Sequence, residues 1–287
     1  MPDNPVSCHL ITWGDDYKTG LREAAGLGFH ACETFTHQAL EYENRPEELR
    51  ELLAAQGMRL SALYGGGRFS DPTRRGDVVA YNTRVARFLA ALGVDRIVFG
   101  PAGPRGPQGT GLDELREAAR TIDEAARACY DLGVLPCVHP HLDTEIETER
   151  EIDAVMEYTD PRYVFFCPDT AHLTAAGMDV AAMIRRHGER MRYMHVKDLR
   201  AGVIEERTQA RAGSAPSSGT DRLPIFCELG RGIIDYVPIM EALGAVGYAD
   251  WITVEIDKSL TTPRESLAIC RDYLRDTLHL DYGKVRG

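Results

Sequence analysis

The sequence predicts an α/β fold closed as a (β/α)8 barrel, and three observations carry the prediction. One unit recurs along the 287 residues: a helical stretch, a glycine, then a short apolar strand. The apolar runs, such as Tyr163-Val164-Phe165-Phe166-Cys167, are short, aromatic and β-branched, which reads as buried strand rather than helix. Where several of them give out, Asp, Glu, His or Lys follows at once, and the C-terminal ends of buried parallel strands are where barrel and open α/β enzymes keep their chemistry. A doubly wound open sheet is the rival, but no GxGxxG follows the first strand and eight units suit closure.

Taken in order, strand one is expected at about His9 to Trp13. Gly28-Phe29 leads into strand two, Ala31 to Phe35, and Gly57-Met58 into strand three, Leu60 to Tyr64. Gly93-Val94 leads into strand four, Arg96 to Phe99, and Gly133-Val134 into strand five, Leu135 to His139. The glycines are suited to end a helix in the left-handed conformation before the chain turns back. Strand six is Tyr163 to Cys167, strand seven Met191 to Met194, and Gly247-Tyr248 leads into strand eight, Trp251 to Glu255. Between them, apolar residues recur at helical spacing, as in Val85, Phe88, Leu89 and Leu92, or Leu115, Ala118, Ala119 and Ile122. One barrel domain is expected to span residues 1–287. The stretch from Ala201 to Pro224 breaks the rhythm: it is polar, long for a βα loop, and reads equally as a surface insertion or as a lid or subunit contact over the rim.

Composition narrows the function classes. A hydrophobic share of 44% is ample for a core, and no run approaches the roughly eighteen apolar residues of a membrane helix. Met1-Pro2-Asp3-Asn4-Pro5 lacks the basic and apolar regions of a signal peptide, so the expected location is cytoplasmic, with no membrane partner. A net charge of −11 argues against a nucleic-acid backbone as partner, while leaving room for a small anion in a local basic pocket. The seven cysteines form no CxxC pair, the pattern of reduced, mostly buried thiols.

The polar residues expected at strand ends are Glu33, His139, His141, Asp169, His172, His195, Lys197 and Glu255. In a barrel they converge on one rim although they are far apart in sequence. His139, Asp169, His195 and Glu255 come from four consecutive strands. Two imidazoles and two carboxylates suit a divalent ion, Mn²⁺ first, with Co²⁺, Zn²⁺ and Mg²⁺ as alternatives. The absence of cysteine from the set argues against a thiolate structural zinc.

These motifs resemble the xylose isomerase-like TIM barrels, also described as sugar phosphate isomerases/epimerases. The resemblance runs from Thr12-Trp13-Gly14-Asp15 to Val254-Glu255-Ile256-Asp257. It is sharpest at Asp169-Thr170-Ala171-His172, at His195-Val196-Lys197-Asp198 and at Leu229-Gly230-Arg231-Gly232-Ile233-Ile234-Asp235. His139-Pro140-His141-Leu142-Asp143-Thr144 looks most like the inosose dehydratase branch. The resemblance implies metal ligation by Asp169, His195 and Glu255, with His172 ligating or supporting a ligand. Many members place a glutamate at the end of strand five, where this chain has His139. Either His139 ligates, or His141, Glu145 or Glu147 reaches in from the loop that follows. A homo-oligomer built through rim loops is implied in the same way.

The chemistry fits the ligand set independently. A divalent ion polarises a sugar carbonyl as a Lewis acid, and a general base can then remove the neighbouring proton. Glu255 and Glu145 are the carboxylate candidates for that base, while His141, His172 and Lys197 are placed to shuttle protons or hold substrate oxygens. Lys197 reads equally as a salt-bridge partner of Asp198 or Asp169. Glu33, Trp13 and Tyr64 are the candidates for substrate contact; a structural hydrogen bond competes for Glu33, and a place in the core or pocket wall for the two aromatics. Gly65-Gly66-Gly67-Arg68 lacks Walker spacing and reads as a flexible loop.

The expected function is a metal-dependent isomerase or epimerase of a keto-sugar or inosose, a small-molecule enzyme with no nucleic-acid partner. The alternative is a metal-dependent dehydratase, a lyase of the inosose type. An abasic-site endonuclease is disfavoured by the acidic charge, and a non-catalytic partner subunit is suggested only by His139.

Overall fold

The computed structural model describes residues 4–211 and 224–280. In chain order the elements are β1 (Val6–His9), α1 (Tyr17–Gly26), β2 (Ala31–Phe35), α2 (Thr36–Ala39), α3 (Pro46–Ala54), β3 (Arg59–Gly67) and α4 (Arg75–Leu92). Then come β4 (Arg96–Pro101), α5 (Leu112–Tyr130), β5 (Leu135–Val138), α6 (Glu149–Tyr158), β6 (Phe165–Phe166), α7 (Thr170–Ala175) and α8 (Val180–His187). The chain continues with β7 (Tyr193–Val196), β8 (Asp198–Leu199), α9 (Val203–Arg211), β9 (Phe226–Cys227), α10 (Tyr236–Ala245), β10 (Trp251–Val254) and α11 (Pro263–Asp276).

Eight strands pair in parallel in the order β6-β5-β4-β3-β2-β1-β10-β7. Bridges Phe166–Met191 and Asp169–His195 join the two outer strands and close the circle, so the fold is a (β/α)8 TIM barrel. The recurrent glycine behaves as expected: Gly93 takes φ +73° and ends α4 before the turn into β4. Helices bury their apolar stripes against the outside of the sheet, α5 through Leu115, Ala118, Ile122 and Ala125, among others. Inside, Ala62, Val98, Cys137, Phe165, Cys167 and Tyr193 fill the barrel. Hydroxyls complete that layer: Tyr193 Oη lies 2.7 Å from Ser61 Oγ, and Ser7 Oγ lies 2.6 Å from Thr253 Oγ1. This satisfied layer is the floor beneath the rim chemistry.

Three expectations are corrected. The first strand is Val6–His9; Leu10–Trp13 forms a 3₁₀ turn instead, capped by His9, whose Nδ1 accepts the Ile11 N–H at 2.9 Å. The polar residue ending strand one is therefore His9. The glycine run after Tyr64 is ordered strand and no loop: Gly65, Gly66 and Gly67 pair with Phe99, Gly100 and Pro101. Gly66, at φ +106°, lies so close to Gly100 that a Cβ would collide with its backbone. The stretch after β7 is not all irregular. β8 and β9 pair antiparallel, and Val203 of α9 is buried with Leu142, Ala171, Ala175, Leu199 and Phe226. The Gly213–Gly219 segment, on which the lid or subunit reading rests, lies outside the described residues.

Candidate metal centre

The centre is assembled from four strand ends. Asp169 caps α7: its Oδ1 accepts the N–H groups of Ala171 (2.8 Å) and His172 (2.9 Å), which fixes the carboxylate and leaves Oδ2 aimed into the barrel mouth. His139 follows β5, anchored by its N–H to Phe99 O at 3.0 Å. His195 stands on β7 opposite Thr253 of β10, and Glu255, just beyond β10, donates its N–H to Val196 O at 3.2 Å. One potential ligand atom from each of His139, Asp169, His195 and Glu255 lies within 4.8 Å of the other three, and all four residues are buried.

The donor set itself tests whether a metal fits. Both ring nitrogens of His139, Asp169 Oδ2, His195 Nδ1 and Glu255 Oε2 are buried without a hydrogen bond. Such atoms are costly to bury unpaired, and a cluster of them facing one point is what a cation would satisfy. His139 Nε2 is 3.7 Å from Asp169 Oδ2; His195 Nδ1 is 2.9 Å from Glu255 Oε2 and 4.0 Å from Asp169 Oδ2. Burial lowers the His139 pKa and keeps a lone pair available on its ring. The residues therefore fit a divalent ion.

Within the cluster, protons and one ammonium face the carboxylates. Burial disfavours charge on His195, but Glu33 and Glu255 on either side outweigh that and push its pKa up to about 10. Burial likewise works against the Lys197 ammonium, and Asp169, Asp257 and Glu255 outweigh it. Lys197 Nζ lies 2.9 Å from Asp257 Oδ1, 3.1 Å from Glu255 Oε2 and 3.4 Å from Asp169 Oδ2. Against burial, Lys197 in turn holds the Asp169 and Glu255 carboxyls below their usual range, His195 adding to it at Glu255.

Two further histidines sit beside this cluster. His172 meets a donor at each nitrogen: Nδ1 lies 3.2 Å from the Leu142 N, and Nε2 lies 3.4 Å from Nζ of the Lys197 ammonium, which can only donate. His141 Nδ1 lies 2.8 Å from Leu142 O, a carbonyl that can only accept, so its hydrogen is on Nδ1 and its Nε2 carries the lone pair. The two rings are 3.9 Å apart, His172 buried and His141 half-buried.

A sequence model of the xylose isomerase-like TIM barrels matches residues 21–275. The chain belongs to that family. An inosose dehydratase of Geobacillus thermodenitrificans is 37% identical over 273 residues, covering 91% of this chain and 89% of the relative. A D-psicose 3-epimerase from Clostridium cellulolyticum H10 superposes with TM-score 0.75 at 20% identity, over 96% of this chain and 99% of the other. A protein described as IOLI with a bound zinc atom superposes with TM-score 0.74 at 17% identity, over 95% and 97% of the two chains.

In this family member the other expected site residues divide. Tyr64 stands at the cluster, its ring edge-on to His139 at 5.6 Å. Trp13 is occupied elsewhere: its indole N–H donates to Glu23 Oε2 at 2.8 Å and its ring covers Gly20 of α1. Glu145, expected as a base, has both oxygens engaged by backbone amides, those of Phe69 and Ser70 at 2.8 Å and that of Gly103 at 3.3 Å. It ties the loops after β3 and β4 together and is withdrawn from the cluster. Glu147 is held by Arg105 at 3.1 Å and Arg207 at 3.0 Å, joining the loop after β4 to α9. Glu33 lies beneath His195, with Oε2 2.7 Å from Nε2.

Sequence reasoning missed Asp257 and Phe226. Asp257 is two residues past Glu255, so the alternation of an extended chain was the available signal. Phe226, whose ring lies 4.5 Å from Lys197 Nζ and 4.8 Å from His172, is delivered by a small antiparallel ribbon and carried no local signal.

Proposed function

We propose that this chain is a divalent-metal-dependent dehydratase of an inosose or related keto-sugar, with His139, Asp169, His195 and Glu255 as ligands and Mn²⁺ as the first metal to test. A bound ion would supply Lewis acidity toward a carbonyl oxygen. The chain's part is acid–base work on the neighbouring atoms. His141 offers an Nε2 lone pair as general base, and the Lys197 ammonium, whose Nζ lies 3.4 Å from His172 Nε2, is the proton donor.

The observation that carries this reading is that acceptor and donor stand on one flank of the centre: the His141 ring lies 3.9 Å from that of His172, against which the Lys197 ammonium rests. That arrangement suits taking a proton and protonating a leaving hydroxyl on adjacent carbons of one substrate face. Returning a proton to the opposite face, as epimerisation requires, would want the donor across the substrate. The name of the 37% identical relative supports the same outcome. An isomerase or epimerase is the second reading, favoured by the ligand set, which suits either reaction.

The test is a screen of inososes and ketoses with the metal-loaded protein in D₂O. Dehydration predicts loss of one water and growth of ultraviolet absorbance from an enone. Solvent deuterium incorporated without loss of mass would replace it by the isomerase reading. His141→Ala should lower kcat by about 100-fold or more, the usual worth of a positioned base.

A further inference from the structure

Among the described residues, Glu33 is the one buried carboxylate at the rim that neither joins the four-residue cluster nor is held by backbone amides. It stands in the middle of β2 beside His9 of β1, with which it is in register, and it is fully buried. Its Oε2 is 2.7 Å from His195 Nε2, while its Oε1 makes no hydrogen bond. Beside that oxygen is His9, whose Nε2 is 4.0 Å away and likewise without a hydrogen bond. Because His9 Nδ1 accepts the Ile11 N–H, the hydrogen of the neutral ring is on Nε2, pointing its dipole toward Glu33. Burial, the largest influence on His9, keeps that ring neutral. Phe35 holds the His9 ring edge-on at 5.0 Å.

We infer that Glu33, backed by His9, is a positioning residue for the metal centre: it holds the Nε2–H of His195 so that Nδ1 is the nitrogen presented to the ion. The inference rests on the metal reading above. His195 has two nitrogens on opposite sides of one ring, and only one can face the cluster. With Nε2 held by Glu33, the atom 2.9 Å from Glu255 and 4.0 Å from Asp169 is Nδ1. A carboxylate behind a ligating imidazole fixes its tautomer and orientation and raises its basicity as a donor. A carboxylate with one idle oxygen is an expensive way to fill a gap that leucine or methionine could fill, so packing alone does not explain it. Full burial under His195 also removes Glu33 from direct substrate contact.

The test uses the full chain loaded with Zn²⁺, which is diamagnetic. In ¹⁵N-histidine long-range spectra, His195 should show a zinc-shifted Nδ1 and a retained Nε2–H with a downfield, slowly exchanging proton. Chelator competition should show Zn²⁺ held about 10- to 100-fold more weakly by Glu33→Gln, whose metal-free melting temperature should stay near that of wild type. Glu33→Asp, too short to reach, should show the same loss, and His9→Gln a smaller one. Coordination of His195 through Nε2, or equal zinc affinity in wild type and Glu33→Gln, overturns the assignment while the metal reading stands. A wild-type chain that retains no zinc overturns both. The wild-type spectrum decides the ligating atom even if the variants do not fold.

Discussion

Two groups of buried carboxylates share this rim, and their surroundings separate scaffold from site. Asp198, Glu145 and Glu151 are saturated by backbone amides. Asp198 alone accepts four: Leu199 N at 2.8 Å and Ile234, Gly230 and Gly232 N at 3.0 Å. Asp169 and Glu255 each keep an oxygen that no backbone amide reaches, facing imidazole nitrogens and the Lys197 ammonium at 3.4 and 3.1 Å. Residue type and burial are alike in the two groups; what differs is whether backbone amides take up the lone pairs. Satisfied carboxylates hold loops, and unsatisfied ones facing a common point await a cation.

The comparison breaks most visibly at Asp198. Asp198→Ala should strand four amides, three of which tie the Leu229–Asp235 loop to β8. The expected loss is about 3 kcal/mol or more, which for a chain of this size is about 5 °C in melting temperature. Zn²⁺ or Mn²⁺ should still raise the melting temperature of that variant. An unchanged melting temperature would show that solvent replaces the carboxylate at no cost, and the scaffold half of the contrast would fail.

Glu255→Gln should give the opposite pattern. The fold should survive, because the residue links to the barrel through its own N–H, but metal retained after desalting should fall from about one ion per chain to nearly none. In wild type, an ion at 100 times its Kd should add about 2.7 kcal/mol of stability, and in Glu255→Gln almost nothing. Elemental analysis and thermal shift with and without Mn²⁺ check both. Equal retention in the two proteins would remove Glu255 from the ligand set.

The sequence made the barrel legible because its period is strong: glycine-ended helices and short apolar strands recur until the circle closes. His139, Asp169, His195 and Glu255 were legible as neighbours because strand ends share a rim whatever their separation in sequence. Three things were not legible. Whether Glu145 or His139 faces inward depends on which loop amides compete for the carboxylate, a tertiary matter. The different settings of His141 and His172 depend on the backbone of one residue, Leu142, whose C=O faces the first ring and whose N–H faces the second. Strand one was misplaced because Leu10-Ile11-Thr12-Trp13 is as apolar as a strand, yet His9 caps it into a turn.

The smallest effect expected concerns Glu151, which sharpens the contrast by pH. Its oxygens accept from Thr110 N (3.0 Å), Thr148 N (2.9 Å), Glu147 N (3.0 Å) and the Arg105 guanidinium (2.6 Å). Burial alone would raise its pKa, but Arg105 and the amides outweigh burial and lower it from 4.5 to about 2. A lowered carboxyl pKa means that the unfolded chain takes up the proton first as pH falls. The contribution is therefore complete above about pH 5, declines between about 4.5 and 2, and is gone below. Glu151→Gln should melt a few degrees lower than wild type at pH 7, and the gap should close as pH approaches 2. A gap that stays constant across that range would mean that the charge contributes nothing and that the amide bonds of the glutamine variant suffice. The orphaned oxygens of Asp169 and Glu255 should respond instead to metal, so a pH-dependent gap at Glu151 that is indifferent to added Mn²⁺ would separate the two kinds of buried carboxylate by measurement.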